Sequence, residues 1–331
     1  MKTRFPGTTV VLLLFLLAVS PLSAQQIRLA SLAPENSPWG AALNRIAADW
    51  QRISGGRVRL QIYHNMVAGN EADVIRKMRI GQIQAAVVTS IGLNNISPEI
   101  MALHVPMLIR TDEELDYVFD RVRPAFERSI EAQRMRAIAW SKGGWIHFFA
   151  KSPIRTPAEL KRLRLAANAD DPGIVQVFRA MGYHPVPIEL GEIMTSLNSG
   201  LVDAFYASTI ATAGFQWFGL APYMLDVTVS PFLGSIIITD RAWAQIPDSL
   251  KPELQASLDR HIAQLDRDVA RLESEAIELM KRFGLTVIEL TDAETREWQT
   301  EMADIASRVV GSVFDRNTYE TIKRHLDEFR R

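Results

Sequence analysis

The chain has 331 residues, a formal net charge of −1 and no cysteine. Without thiols it forms no disulfide, thiolate nucleophile, cysteine-ligated metal site or lipid-modified N-terminal cysteine. The near-zero charge provides no basic field for nucleic acid, and the length suffices to bury the cores of two domains.

Lys2 and Arg4 precede an apolar run from Val10 to Val19, and Leu22-Ser23-Ala24 places small residues before Gln25. Too short to span a bilayer, this segment reads as a signal peptide over residues 1–24, cleaved near Ala24. The mature protein is expected to be exported and free in the periplasm. From Gln26 to Ala30 the chain alternates as a first strand, and Ser31 to Pro38 is a turn-rich loop. Ser37 reads as an N-cap and Pro38 as the first helical position. Trp39, Leu43, Ile46, Trp50 and Ile53 then mark one helical face, ended by Ser54-Gly55-Gly56. Val58 to Tyr63 is a strand by period two. Val74, Ile75 and Met78 form a helical stripe closed by Gly81, and Ala85 to Val88 is a buried parallel strand.

Arg136–Trp140 and Ile146–Ala150 read as two strands flanking Lys142-Gly143-Gly144 and carrying the chain to a second lobe. There Thr156-Pro157 opens a short helix, Leu163-Arg164-Leu165 is a strand, and Asp171-Pro172 opens a helix through Val175, Phe178 and Met181. Pro231 to Thr239 is a strand returning to the first lobe. Leu250, Leu254, Leu258, Ile262, Leu265, Val269 and Leu272 mark a long amphipathic helix. Shorter helices follow around Trp298 and Tyr319.

One unit recurs. Met78-Arg79-Ile80-Gly81-Gln82-Ile83-Gln84-Ala85-Ala86 parallels Leu197-Asn198-Ser199-Gly200-Leu201-Val202-Asp203-Ala204-Phe205, and each copy follows an alternating strand. Two strand–helix–strand units predict two α/β lobes with parallel strands, right-handed crossovers and a cleft between them.

Little in the chain argues for catalysis. Histidines 64, 104, 147, 184, 261 and 325 lack metal-ligand spacing, and no phosphate loop, dinucleotide fingerprint or Gly-x-Ser-x-Gly elbow occurs. Asp170-Asp171 is the one suggestive carboxylate pair, and its simpler reading is a helix cap ahead of Pro172. No enzyme activity and no cofactor are expected. Aromatic residues instead gather near strand ends, where open α/β sheets bind ligands. Phe148, Phe149 and Phe218 are equally readable as core; Tyr206, just beyond a strand, points to the cleft.

The runs His184-Pro185-Val186-Pro187, Gly191-Glu192-Ile193, Leu197, Gly200 and Val202-Asp203 resemble TRAP-type (tripartite ATP-independent periplasmic) transporter solute-binding proteins. So do Arg76-Lys77-Met78 through Gly81-Gln82-Ile83, Val105 to Arg110, and Thr156 to Lys161, in the same order. The resemblance implies a type II periplasmic-binding-protein-like α/β fold, with two lobes, a hinge cleft and a long bracing C-terminal helix. Lobe I then takes 25–145 plus about 232–270, lobe II 146–231 plus about 271–290, and helices in 291–331 pack on both. It also implies a small organic ligand and TRAP membrane permease subunits as partners.

The chain departs from the family at the expected binding positions. Where the family places a carboxylate-pairing arginine, Leu160-Lys161-Arg162-Leu163-Arg164-Leu165-Ala166 ends on Ala166, and the family asparagine is Ala207. Arg164 faces the other side of its strand. An unpaired carboxylate in a closed cleft costs several kcal/mol. A more apolar cleft is therefore expected, with a hydrophobic or amphipathic ligand touching Ser31, Leu32, Trp39, Thr89, Trp145, Ala166, Asn168, Phe205, Tyr206, Ser208 and Trp217. Ser31-Leu32-Ala33-Pro34 and Ala221 to Asp226 resemble a branch associated with a tetratricopeptide-repeat periplasmic protein, which makes such a protein a candidate partner.

Overall fold

In a computed structural model, residues 24–331 fold into ten strands and twelve α-helices. The expected signal peptide lies outside the described residues except for Ala24. In chain order, β1 (Gln25–Ser31), α1 (Pro38–Ile53), β2 (Val58–Tyr63), α2 (Glu71–Arg79), β3 (Ala85–Thr89) and α3 (Ser90–Asn94) come first. A 3-10 turn at Pro98–His104 leads to α4 (Asp112–Ala132) and β4 (Met135–Ala150). Next come α5 (Pro157–Leu160), β5 (Arg164–Asn168), α6 (Pro172–Ala180), β6 (His184–Ile188), α7 (Ile193–Ser199), β7 (Ala204–Ser208) and α8 (Thr209–Gly214). The chain ends with β8 (Tyr223–Leu225), β9 (Pro231–Thr239), α9 (Asp240–Gln245), α10 (Lys251–Arg282), β10 (Thr286–Ile288), α11 (Asp292–Val309) and α12 (Arg316–Phe329).

The strands lie in the order β2-β1-β3-β9-β4-β7-β5-β6, with β8 joining β4 and β10 joining β8. Each lobe repeats one plan: β2-β1-β3 and β6-β5-β7 are parallel trios with the first strand of the trio in the middle. The recurring sequence unit occupies the same place in both. Met78 and Leu197 are buried at the ends of α2 and α7, and Ile83 and Val202 are buried ahead of β3 and β7. Gly81 and Gly200 both turn the chain at φ +76, a left-handed conformation that glycine adopts without steric cost. The sheet is mixed, however, because β9 and β4 pair antiparallel between the trios.

Local signals act as the sequence predicts. The Ser37 hydroxyl accepts a bond from the Gly40 amide at 3.1 Å, and Pro38 opens α1. Ser37→Ala should lower the unfolding free energy by about 1 kcal/mol in a denaturant titration, the usual worth of such a cap. Leu43, Ile46 and Trp50 on α1 pack with Ile27, Leu29 and Leu258 in the core of the first lobe.

The two strands expected around Lys142-Gly143-Gly144 are one strand. β4 runs unbroken from one lobe into the other, with a register shift between Lys142 and Trp145 where it pairs with β9. The shift leaves backbone amides for α10: Asp266 accepts from Lys142 N at 3.1 Å and from Ser141 Oγ at 2.8 Å, and Glu273 accepts from Trp145 N at 2.8 Å. The long helix, which begins one residue after its expected start and reaches Arg282, therefore clamps the crossing strand. It also packs against α1 on one side and α8 on the other.

The C-terminal helices divide between the lobes. Glu294 and Glu301 of α11 pair with Arg155 and Lys161, and the Trp298 indole donates to the Arg155 carbonyl at 2.8 Å. α12 packs on α4, and Arg330 just past it pairs with Glu114 at 2.7 Å. Residues 310–315 thus cross from one lobe to the other.

Candidate functional site

Two adjoining cavities lie where the C-terminal ends of the inner strands meet. The larger, about 180 Å³, is walled by residues from both lobes, among them Leu32, Thr89 and His104 from the first and Ala166, Asn168, Tyr206 and Ser208 from the second. The smaller, about 90 Å³, reaches under α1 past Trp39 and Leu43. Leu32, Thr89, Ala211, Phe215 and Phe232 border both, so they form one cleft.

Aromatic rings build the floor. Phe205 on β7 stacks on Phe149 of β4 at 5.1 Å and meets Trp217 edge-on at 5.4 Å, and Trp217 stacks on Phe215 at 4.9 Å. On the opposite face of β7, Tyr206 packs against Phe178 at 5.6 Å and Phe148 at 6.2 Å. The period of two splits these neighbouring residues between two clusters, yet both border the cavity because β7 ends there.

Of the residues expected to touch a ligand, Leu32, Thr89, Ala166, Asn168, Phe205, Tyr206, Ser208 and Trp217 line the larger cavity, and Trp39 lines the smaller. Ser31 and Trp145 line neither. The Ser31 hydroxyl accepts from the Ala33 amide at 3.2 Å, beside a separate small void, and the Trp145 ring is core. Arg164 points away and pairs with Asp203 through Nε at 2.7 Å and Nη2 at 2.7 Å.

Among the wall residues the sequence reading missed are Glu71, His104, Phe178 as cavity wall rather than core, Phe232, and Phe314 in the turn between α11 and α12. No local motif marks them; each reaches the cleft from a different element. Asp171, read as a cap, does cap α6 through a bond from Ile174 N at 3.1 Å, and also borders the cavity.

Among the described residues, no arginine or lysine lines either cavity. The titratable groups on the wall are Glu71, His104, Asp171 and Tyr206. Desolvation pushes the Glu71 carboxyl up to about 7, against bonds from Thr89 that favour its charge. Burial lowers His104 to about 4, which keeps the imidazole neutral, and raises Asp171 and Tyr206. A carboxyl raised from 4.5 to about 7 on folding holds more protons in the folded state across that window. Stability therefore falls as pH rises through it. Glu71→Gln should flatten this decline, with little change in melting temperature at pH 5 and a higher one at pH 8.

Two lobes enclosing a solute-sized cavity, spanned by strands and braced by a long helix, define a two-lobed α/β class of fold. Residues 29–311 match the bacterial extracellular solute-binding protein family 7, DctP, and the chain belongs to this family of TRAP-type solute-binding proteins. The 2,3-diketo-L-gulonate-binding periplasmic protein YiaO of Escherichia coli is 23% identical over 293 residues, 87% of each chain. A solute-binding protein of Roseobacter denitrificans is 27% identical over 208 residues, 61% of this chain and 62% of that one, less than two thirds of its length. A Shewanella oneidensis TRAP periplasmic solute-binding protein solved with succinate shares the fold at a TM-score of 0.85. That match has 16% identity and covers 92% of this chain and 99% of the other.

Proposed function

We propose that the protein is the periplasmic receptor of a TRAP-type secondary transporter, capturing a small hydrophobic or amphipathic organic solute by hinge closure and delivering it to membrane permease subunits. The observation that carries this reading is a cleft between lobes walled mainly by aromatic and aliphatic side chains and, among the described residues, by no guanidinium or ammonium group. Family membership supports transport over catalysis, and solute binding needs only a closed state that the ligand favours by differential affinity. The basic start and short apolar run support export with cleavage near Ala24. The lobes are taken as 25–145 with 232–270 and 146–231 with 271–290. A tetratricopeptide-repeat partner has no support among the relatives described, and transport does not require one.

A second reading, binding of an organic carboxylate through contacts other than the family arginine, is favoured by the relatives named for 2,3-diketo-L-gulonate and succinate. Titration calorimetry separates the two. Tight enthalpic binding of succinate or a sugar acid favours the second reading; binding of medium-chain or aromatic compounds with a negative heat-capacity change favours the first. Transport is tested by loss of uptake of the bound compound when this gene is deleted. Unchanged uptake would remove the transport reading.

A further inference from the structure

Backbone amides at the starts of α3, α6 and α8, which border the cleft, bond to side chains of the protein itself. At α3, Glu71 accepts from the Thr89 amide at 2.6 Å and the Thr89 hydroxyl at 2.8 Å, and also from the Gly92 amide. At α6, Asp171 accepts from Ile174 N and Gly173 N. At α8, the Ser208 hydroxyl accepts from Ala211 N at 3.2 Å. The carboxyls of Glu71 and Asp171 thus take amide donors that a ligand carboxylate would otherwise compete for.

Two other polar wall atoms are bonded within the protein. The Ser90 hydroxyl donates to the Leu233 carbonyl at 3.3 Å, and Asn168 Oδ1 accepts from the Asp170 amide at 2.8 Å. His104 is different: its Nε2 is buried with no hydrogen-bond partner, and its ring borders the cavity. A buried nitrogen without a partner forfeits the bond it would make to water, so a polar ligand atom beside it recovers that loss. Asp170, next to Asp171, feels Glu189 on its own lobe and Asp73, which Arg76 pairs, on the other. No cation on the wall offsets these acids.

We propose, building on the solute-receptor reading above, that the solute is an uncharged amphipathic molecule. Its one polar end hydrogen-bonds to His104 Nε2 and its apolar body lies against the rings of Phe148, Phe178, Tyr206 and Phe232. Glu71 and Asp171 act as built-in occupants of the anion seats and discriminate against carboxylates. The discrimination is by exclusion: a carboxylate entering the cleft would lose its water, meet two acids and, among the described residues, find no lysine or arginine on the wall to pair with.

The test uses the mature full-length chain, stripped of bound material and refolded. Binding of benzyl alcohol, benzoate and benzylamine, and of 1-octanol, octanoate and octylamine, is measured by calorimetry. The alcohol of each set should bind at least tenfold more tightly than its carboxylate and its amine. His104→Leu should weaken the alcohols about tenfold without lowering the melting temperature, and His104→Gln should restore part of the loss. Glu71→Gln with Asp171→Asn should raise carboxylate affinity by about tenfold. Carboxylate or amine binding as tight as the alcohol, or alcohol binding indifferent to His104→Leu, overturns the proposal and leaves the receptor reading standing. Failure of all six probes, with no organic molecule extractable from the protein purified without stripping, overturns both.

Discussion

Phe205→Ala is expected to remove about 3–5 kcal/mol of unfolding free energy, the range for deleting a buried aromatic ring. Phe205 has no exposed surface and sits between Phe149 and Trp217, so its removal breaks one stacked and one edge-on contact. Aromatic pairs of this kind contribute about 0.5–1.5 kcal/mol each beyond buried area. The void would open into the cleft, so ligand affinity should fall together with stability. Phe205→Leu should recover much of the stability and less of the affinity. A denaturant titration of Phe205→Ala showing a loss below about 1 kcal/mol would mean that the ring is not packed as described.

Gly144→Ala should strike the strand that crosses between the lobes. Gly144 has φ +87, where an L-residue carries about 1–2 kcal/mol of strain. A methyl group there would stand 2.2 Å from the Glu273 carboxylate, too close to coexist with it. Glu273 would have to swing away from the Trp145 amide, leaving a donor without its partner at a cost of about 1–3 kcal/mol. The expected result is a destabilised protein whose lobes close less completely. Small-angle scattering should record a smaller ligand-induced compaction than in the unmodified chain. Glu273→Gln, which keeps an acceptor for the same amide, should be milder. Because desolvation raises the Glu273 carboxyl to about 7, its effect should be smallest below pH 5.

The parts of the fold legible in the sequence were those written locally. Ser37-Pro38 and Asp171-Pro172 start helices because a side-chain oxygen precedes a residue that lacks an amide hydrogen. The paired units ending at Ala86 and Phe205 revealed the doubled architecture because both lobes solve the same helix-to-strand turn with glycine. α4 was passed over although Leu115, Val118, Val122, Phe126 and Ile130 are evenly spaced and buried; Pro124 within it is the local signal against a continuous helix. The unbroken course of β4 was hidden by Gly143-Gly144, which reads as a turn and serves as a bulge. At the cleft, β7 and β5 could be placed from strand ends, which located Ala166, Asn168 and Tyr206. His104, Phe232 and Phe314 could not, since their approach to the cavity depends on how distant segments dock.

The position of β9 bears on how the protein reaches its final form. It lies between β3 and β4, so the inner edge of the first trio stays unpaired until residues 231–239 have been made. An apolar strand such as Ala85–Thr89 with an open edge invites pairing with another chain. The growing polypeptide should thus pass through a sticky stage while residues 90–230 follow β3, and truncations that end before residue 231 should precipitate rather than yield a soluble single lobe.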